Sequence, residues 1–262
     1  MSAGDVGRYA YCALNWKRSL EGHEGRGGKE GVAKHREVAE RVDALELYQA
    51  RERLTQDSAL FLALFAASAA SLGVELFALQ HESGWWWFLV FLSVIWMAAS
   101  LYFLVFNLYY ARQARSIVRK TCIQPGQVVF GDSPKHAEVL ESRVVALRGR
   151  PDYVVDREGA LVPVELKTGR TPRRPYDSHV LQLAAYCYLV NERYRKRPPF
   201  GVLSYPDHQF EVPYTPELED RLLKTLLRID LAERTGVVHR DHENPKRCRF
   251  CSRREGCPER LG

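Results

Sequence analysis

Charge is missing from one long stretch of this chain: Trp85 to Tyr110, WWWFLVFLSVIWMAASLYFLVFNLYY, contains no Asp, Glu, Lys or Arg. Ser58 to Leu79 is nearly as bare, with Glu75 its only charged residue. Internal repeats and low-complexity tracts are also lacking, which excludes a solenoid or a tail-like array. From Met1 to Asn15 no long apolar core follows a basic start, so no secretory signal is expected and the N-terminus is expected in the cytoplasm. Cysteines are not spread as a disulfide framework would spread them. Of the six, Cys12, Cys122, Cys187, Cys248, Cys251 and Cys257, three crowd together after Arg247, which favours metal binding in a reducing compartment. With 46% hydrophobic and 27% charged residues among 262, the chain is long enough for a real core, and disorder is not expected. A formal net charge of +6 favours an anionic partner such as nucleic acid or a phospholipid surface.

Each of the two apolar stretches is long enough to cross a hydrocarbon core, which takes about 20 residues. The break between them, Gln80 to Gly84, can only return the chain, so an antiparallel transmembrane hairpin is expected, about 58–79 and 85–110. Arg51 and Arg53 precede the first span, Arg112, Arg115, Arg119 and Lys120 follow the second, and the connecting loop has no Lys or Arg. That asymmetry places both termini, and the soluble part with them, on the cytoplasmic side. The competing reading is a hairpin buried in a soluble core. Glu75 lies within about a turn of the loop and can reach the interface.

The remainder reads as a soluble α/β domain. Gly31 to Thr55 has helical composition, and Glu21 to Gly31 reads as a loose, mobile loop. Strands are predicted around Val128 to Phe130, Val139 to Leu147, Pro151 to Val155 and Leu161 to Leu166, and again at FGVLSY and QFEVPY. A helix from Ser178 to Arg195 carries Val180, Leu183, Ala184, Cys187 and Tyr188 on one stripe, and another runs from about Pro216 to Arg234 behind a Thr215 cap.

The stretch GRPDYVVDREGALVPVELKTG, Gly149 to Gly169, sets Asp152 and Glu165 on two apolar runs joined by a tight charged turn. On a strand, Glu165 and Lys167 share a face. If the two runs pair antiparallel through a turn near Arg157 to Gly159, Asp152 falls close to Glu165, and two carboxylates so placed repel unless a cation neutralises them. Acid oxygens suit Mg²⁺ or Mn²⁺, and Lys167 beside such an ion could orient or help deprotonate a water for attack on a phosphodiester. ELK alone would as readily be a solvated surface pair. Its position at the end of an apolar run argues instead for a central strand delivering charge at the mouth of a sheet.

Asp152, then VELK from Val164 to Lys167, then QLAAY from Gln182 to Tyr186 resemble the PD-(D/E)XK nucleases, in particular the RecB-like branch, whose pattern is an Asp, a Glu-x-Lys and a downstream Gln-x-x-x-Tyr on a helix. The resemblance implies a restriction-endonuclease-like α/β core with a mixed central sheet. It implies that Asp152 and Glu165, with the carbonyl of Leu166, bind the divalent metal, that Lys167 serves the attacking water, and that Gln182 and Tyr186 hold the site and the DNA strand. The same branch has a histidine ligand in a Gly-x-x-x-His pattern on its first helix, which GVAKH supplies as Gly31 to His35. Taken alone, His35 would read as a helix-surface histidine.

Cys248-x2-Cys251-x5-Cys257 is a spacing that gathers three thiols around one soft metal, with no fourth ligand nearby in sequence. YAYCALNWKR, around Cys12, resembles the N-terminal segment of the iron-sulfur members of this branch, the CRISPR-associated RecB-like exonucleases. That implies a 4Fe-4S cluster on Cys12, Cys248, Cys251 and Cys257, clamping the two ends of the domain. Spacing alone also permits four-cysteine zinc, and Cys122 or Cys187 could stand in for Cys12. ALNWKR departs from relatives that show a proline and an arginine there, and the hairpin interrupts the nuclease between its first helix and its strands. The expected organisation is 1–55 N-terminal nuclease part, 56–111 hairpin insertion, 112–236 nuclease core and 237–262 cysteine segment.

The function implied is membrane-anchored, metal-dependent exonuclease action on DNA, single-stranded and 5′ to 3′, in CRISPR adaptation, DNA defence or repair, with proteins of those processes as partners. Arg170, Arg173 and Arg174, just past the catalytic strand, are placed for backbone phosphates or for acidic headgroups. The alternatives are a catalytically silent membrane-tethered DNA-binding scaffold, and a zinc-stabilised membrane protein unrelated to nucleic acid.

Overall fold

Local chemistry sets the helix ends. Ser2 and Asp5 form a reciprocal capping box that opens α1 (Ala3–Tyr11), and Cys12, in an extended conformation, separates it from α2 (Ala13–Leu20). There follow α3 (Gly28–Ala78), α4 (Trp85–Thr121), β1 (Val128–Gly131), β2 (Leu140–Glu141), β3 (Arg148–Gly149), β4 (Tyr153–Arg157), β5 (Ala160–Leu166), α5 (Asp177–Tyr194), β6 (Phe200–Ser204), β7 (Gln209–Pro213), α6 (Pro216–Thr235) and α7 (Pro245–Arg249). Thr215 caps α6 by accepting the N–H of Leu218, Pro216 occupies its first turn, and Gly236 ends it at φ 65°. This computed structural model describes residues 1–22, 28–78, 85–121, 128–131 and 139–262. They form two units, Met1–Arg41 with Lys120–Gly262, and Val42–Arg119.

The first unit is built on a five-stranded mixed sheet in the order β1-β4-β5-β6-β7. β4 and β5 are an antiparallel hairpin whose register runs from Arg157–Ala160 to Tyr153–Val164. Glu158 and Gly159 turn it at φ 55° and 85°, the left-handed pair that a two-residue turn matched to strand twist requires. β5 and β6 run parallel, so both deliver their C-terminal ends to the same edge of the sheet. Opposed residues share a face, which puts Val154 and Leu161 on the side where they join Val6 of α1, Leu181 and Leu189 of α5, and Leu222 and Ile229 of α6 in one core. Each such aliphatic side chain contributes about 1.5–3 kcal/mol by leaving water. Close approach of α5 to β6 depends on Gly201, where a Cβ would lie 2.7 Å from Leu183 Cγ.

Three sequence expectations change. Val139 to Leu147 is not one strand: only Leu140–Glu141 pairs, with Arg148–Gly149, around bends held by the Ser142 hydroxyl, which accepts the N–H groups of Val144 and Val145. Of the loop expected at Glu21 to Gly31, Gly28 onward is already helix α3, while 23–27 lie outside the described residues. The α5 stripe is too narrow a description, because Leu181, Ala185, Tyr186, Leu189 and Val190 are buried as well, between the sheet and the α1 and α6 helices. The Gln80 to Gly84 break and Cys122 lie outside the described residues.

Within the second unit α3 and α4 pack antiparallel, since contacts step down one helix as they step up the other. Asn107 Nδ2 donates to the Glu52 carbonyl and Ser100 Oγ to the Ala59 carbonyl, both at 2.8 Å. Phe65 meets Trp96 at 5.3 Å, and Gly73 faces Leu89 and Val90. Leu47–Ala78 and Trp86–Val118 are long and apolar enough to cross a membrane, and their most apolar windows are only 17% and 6% buried.

Candidate active site

The hairpin register carries Asp152, one residue before β4, opposite Glu165 near the end of β5, on the helix-covered face. Both are buried, at 9% and 5% exposure. Asp152 Oδ2 accepts the N–H of Leu166 at 2.6 Å, which fastens the acid to the end of the neighbouring strand. Glu165 Oε1 is a meeting point: Lys167 Nζ donates to it at 2.9 Å and Gln182 Nε2 at 2.7 Å. Lys167 Nζ also donates to Gln182 Oε1 at 2.8 Å, and Gln182 Nε2 reaches the Tyr186 hydroxyl at 3.2 Å. Four of the residues singled out in the sequence thus form one hydrogen-bonded cluster at the sheet's edge. The Glu165 and Lys167 side chains are 7% and 15% exposed, so this is no solvated surface pair, and removing one partner would strand a largely desolvated charge.

Helices complete the frame. Gly7 of α1 lies against Gln182, where a Cβ would come within 3.3 Å of Oε1 and within 3.0 Å of the Ser178 carbonyl. Gly149 does the same for Tyr186, with 2.9 Å to its ring. The glycines let α1 and β3 press on the cluster without displacing it. Arg170, Arg173 and Arg174 are exposed on the loop after β5. His35 lies on α3, and its side chain is outside the described residues.

Sequence reasoning passed over His179, one turn before Gln182 on α5. Its Nδ1 lies 2.6 Å from the Tyr205 hydroxyl. Burial, reinforced by the Lys167 ammonium, pushes the imidazole down to about 3, so it stays neutral at physiological pH. Its spacing from Gln182 is the signal that could have found it.

A second cluster lies where the N- and C-terminal segments meet. Cys12, Cys248, Cys251 and Cys257 line one cavity, together with Asn15 and several arginines. None is in a disulfide. Burial raises the Cys12 and Cys251 thiols above the usual range. The same segments are tied by polar contacts: Tyr11 OH donates to the Arg247 carbonyl at 2.6 Å, Arg247 returns a bond to the Tyr11 carbonyl at 3.2 Å, and Arg18 donates to the Glu255 and Gly256 carbonyls at 2.9 Å each. Cys187 is buried in the α5 core and does not line this cavity.

Among the described residues no three of His, Cys, Asp and Glu stand close enough to hold a metal as they are. The donor chemistry nonetheless fits: two neighbouring buried carboxylates suit a hard divalent cation, and four unpaired thiols on one cavity suit a soft centre.

Compared with known proteins, the chain matches the PD-(D/E)XK nuclease superfamily over residues 1–258. It is 29% identical over 125 residues to the CRISPR-associated exonuclease Cas4 of Francisella tularensis subsp. novicida (strain U112), an alignment covering 46% of this chain and 61% of that protein. The alignment therefore spans under two thirds of the relative's length. A crystal structure of SSO0001 is 20% identical, with a TM-score of 0.32, covering 48% of this chain and 58% of that one.

Proposed function

Because the chain belongs to the PD-(D/E)XK nuclease superfamily, we propose that it is a membrane-anchored, divalent-metal-dependent DNA exonuclease of the RecB-like iron-sulfur type, cutting single strands 5′ to 3′ in CRISPR adaptation, DNA defence or repair. The observation that carries this is the largely buried cluster of Glu165, Lys167, Gln182 and Tyr186 beside Asp152. Its kinship to a protein named as a CRISPR-associated exonuclease supports the reaction class.

Asp152, Glu165 and the Leu166 carbonyl, with His35, would hold Mg²⁺ or Mn²⁺. Such an ion supplies charge stabilisation at the phosphodiester and lowers the pKa of a water. Lys167, held between Glu165 and Gln182, would orient the attacking water or help deprotonate it. Gln182 and Tyr186 fix the Glu165 carboxylate, so little reorganisation accompanies the reaction. Arg170, Arg173 and Arg174 meet the backbone phosphates of the strand. The cysteine cavity would hold a 4Fe-4S cluster, its negative charge offset by the arginines of its wall.

With Mn²⁺, the purified protein should shorten end-labelled single-stranded DNA, and chelation should stop it. Cleavage that persists in excess chelator would overturn the metal-dependent reading.

Support for anchoring comes from the exposure of the apolar residues on the second unit, among them Phe61, Phe65, Trp87 and Phe91, each more than half exposed. A hairpin buried in a soluble core would hide them. Lys and Arg at the outer ends of the spans and their lack in the connecting loop support cytoplasmic termini. After carbonate extraction the protein should stay in the membrane pellet, and its release to the supernatant would refute the spans.

A further inference from the structure

At the edge where β5 and β6 end, one aromatic ring stands out of the surface. Tyr176, the residue before α5, is 54% exposed. It is not loose. Its ring meets that of His179 edge-on, at 5.4 Å and 88°. His179 in turn packs against Tyr205 at 5.9 Å and bonds its hydroxyl, and Tyr205 is 2% exposed. Behind it the rings continue through Phe210, 5.7 Å from Tyr205, to exposed His208, 4.5 Å from Phe210. The two loops that frame this row are pinned together, because Thr171 Oγ1 donates to Asp207 Oδ2 at 3.2 Å.

The row has a direction relative to the cutting site. Tyr176 precedes α5 as its N-cap, His179, Gln182 and Tyr186 follow one face of the helix at helical spacing, and Gln182 is bonded to Lys167 and Glu165. From Tyr176 to Gln182 the helix advances about 9 Å at 1.5 Å per residue. That is roughly the length of two to three stacked nucleotides at 3.4 Å each. Arg173 and Arg174, exposed on the loop that leads from β5 to Tyr176, are of the sign a phosphate backbone requires. A braced ring loses little freedom when a flat partner lands on it, and the neutral imidazole beneath adds no repulsion to the neighbouring cations.

The geometry points to Tyr176 as a stacking platform for an unpaired nucleobase of single-stranded DNA, two to three nucleotides from the phosphate at Glu165 and Lys167, with His179 and Tyr205 as the positioning residues that hold the ring upright. This rests on the nuclease reading above and deepens it: the site takes strands whose bases are free to splay. Stacking tolerates any base, because each has a π face, so the platform selects for single-strandedness rather than for sequence.

The test uses the full chain in detergent, with Ca²⁺ in place of the active metal and a fluorescent oligothymidylate as probe. A matched strand of abasic sites carries the same phosphates without bases. Tyr176→Ala should weaken oligothymidylate binding about tenfold and leave the abasic strand unchanged, while Tyr176→Trp should restore binding to within about twofold of wild type. Equal weakening on both strands would mean a structural or phosphate role, and no change on either would mean that bases do not touch this ring; each outcome overturns the platform alone. Failure of the wild-type protein to bind either strand would instead sink the nuclease reading together with the platform.

Discussion

Lys167→Ala is expected to slow Mn²⁺-dependent digestion of single-stranded DNA about 10²–10⁴-fold, the usual contribution of a positioned proton-transfer group. Glu165→Ala is expected to fall at least as far, since it removes both a candidate metal ligand and the atom on which Lys167 and Gln182 converge. The physical reason for large effects is that the cluster acts as a unit: Lys167 holds Glu165 and Gln182 together, and each loses its geometry when another is cut away. The double variant should therefore be no slower than the slower single one. A buried pair broken on one side costs about 3–5 kcal/mol, so loss of activity could reflect unfolding alone. Glu165→Gln, which keeps the shape, separates the two: it should bind oligothymidylate as wild type does yet stay inactive. Undiminished cleavage by both alanine variants would place the chemistry elsewhere or in a contaminant.

Cys12→Ser, Cys248→Ser, Cys251→Ser and Cys257→Ser should each yield colourless protein, whereas anaerobically purified wild type should be brown, with iron and sulfide in near-equal amounts. Cys187→Ala should keep the colour. The assignment follows from the shared cavity, which Cys187 does not line. A cluster there would link the N- and C-terminal segments much as a covalent bridge does. If its worth is like that of a disulfide, roughly 2–4 kcal/mol, the serine variants should melt about 4–16 °C lower. The polar ties from Tyr11, Arg18 and Arg247 remain, so the segments should loosen rather than part. Wild type that is colourless and carries zinc would overturn the cluster, and colour retained in Cys12→Ser would move the fourth ligand elsewhere.

Much of the architecture was readable because it is local. Alternating apolar residues with an Asp-Arg-Glu-Gly turn dictate the β4–β5 hairpin, and the antiparallel register alone brings Asp152 opposite Glu165. Thr215 and Pro216 announce α6, and the charge-free run announces α4. The Val139 to Leu147 stretch misled because apolar residues cluster there while, among the described residues, only Leu140–Glu141 finds a strand to pair with, and strand propensity without a partner makes no ladder. Breadth of burial on α5 was hidden for a related reason: its sequence shows which residues are apolar, whereas α1 and α6 decide how many sides are covered.

The sequence by itself determined the hairpin, its turn, the carboxylate–lysine pattern, the two membrane-length apolar helices and the three clustered thiols near Cys248, all features whose physics acts over a few residues. Only the tertiary structure decided that Gln182 and Tyr186 close over Glu165 and Lys167, that Gly7 and Gly149 make room for them, that Cys12 shares a cavity with thiols more than two hundred residues away, and that Tyr176 stands braced on His179. Those juxtapositions join distant segments, and their formation depends on whole faces of helix and sheet being buried together, a property no short stretch of sequence carries.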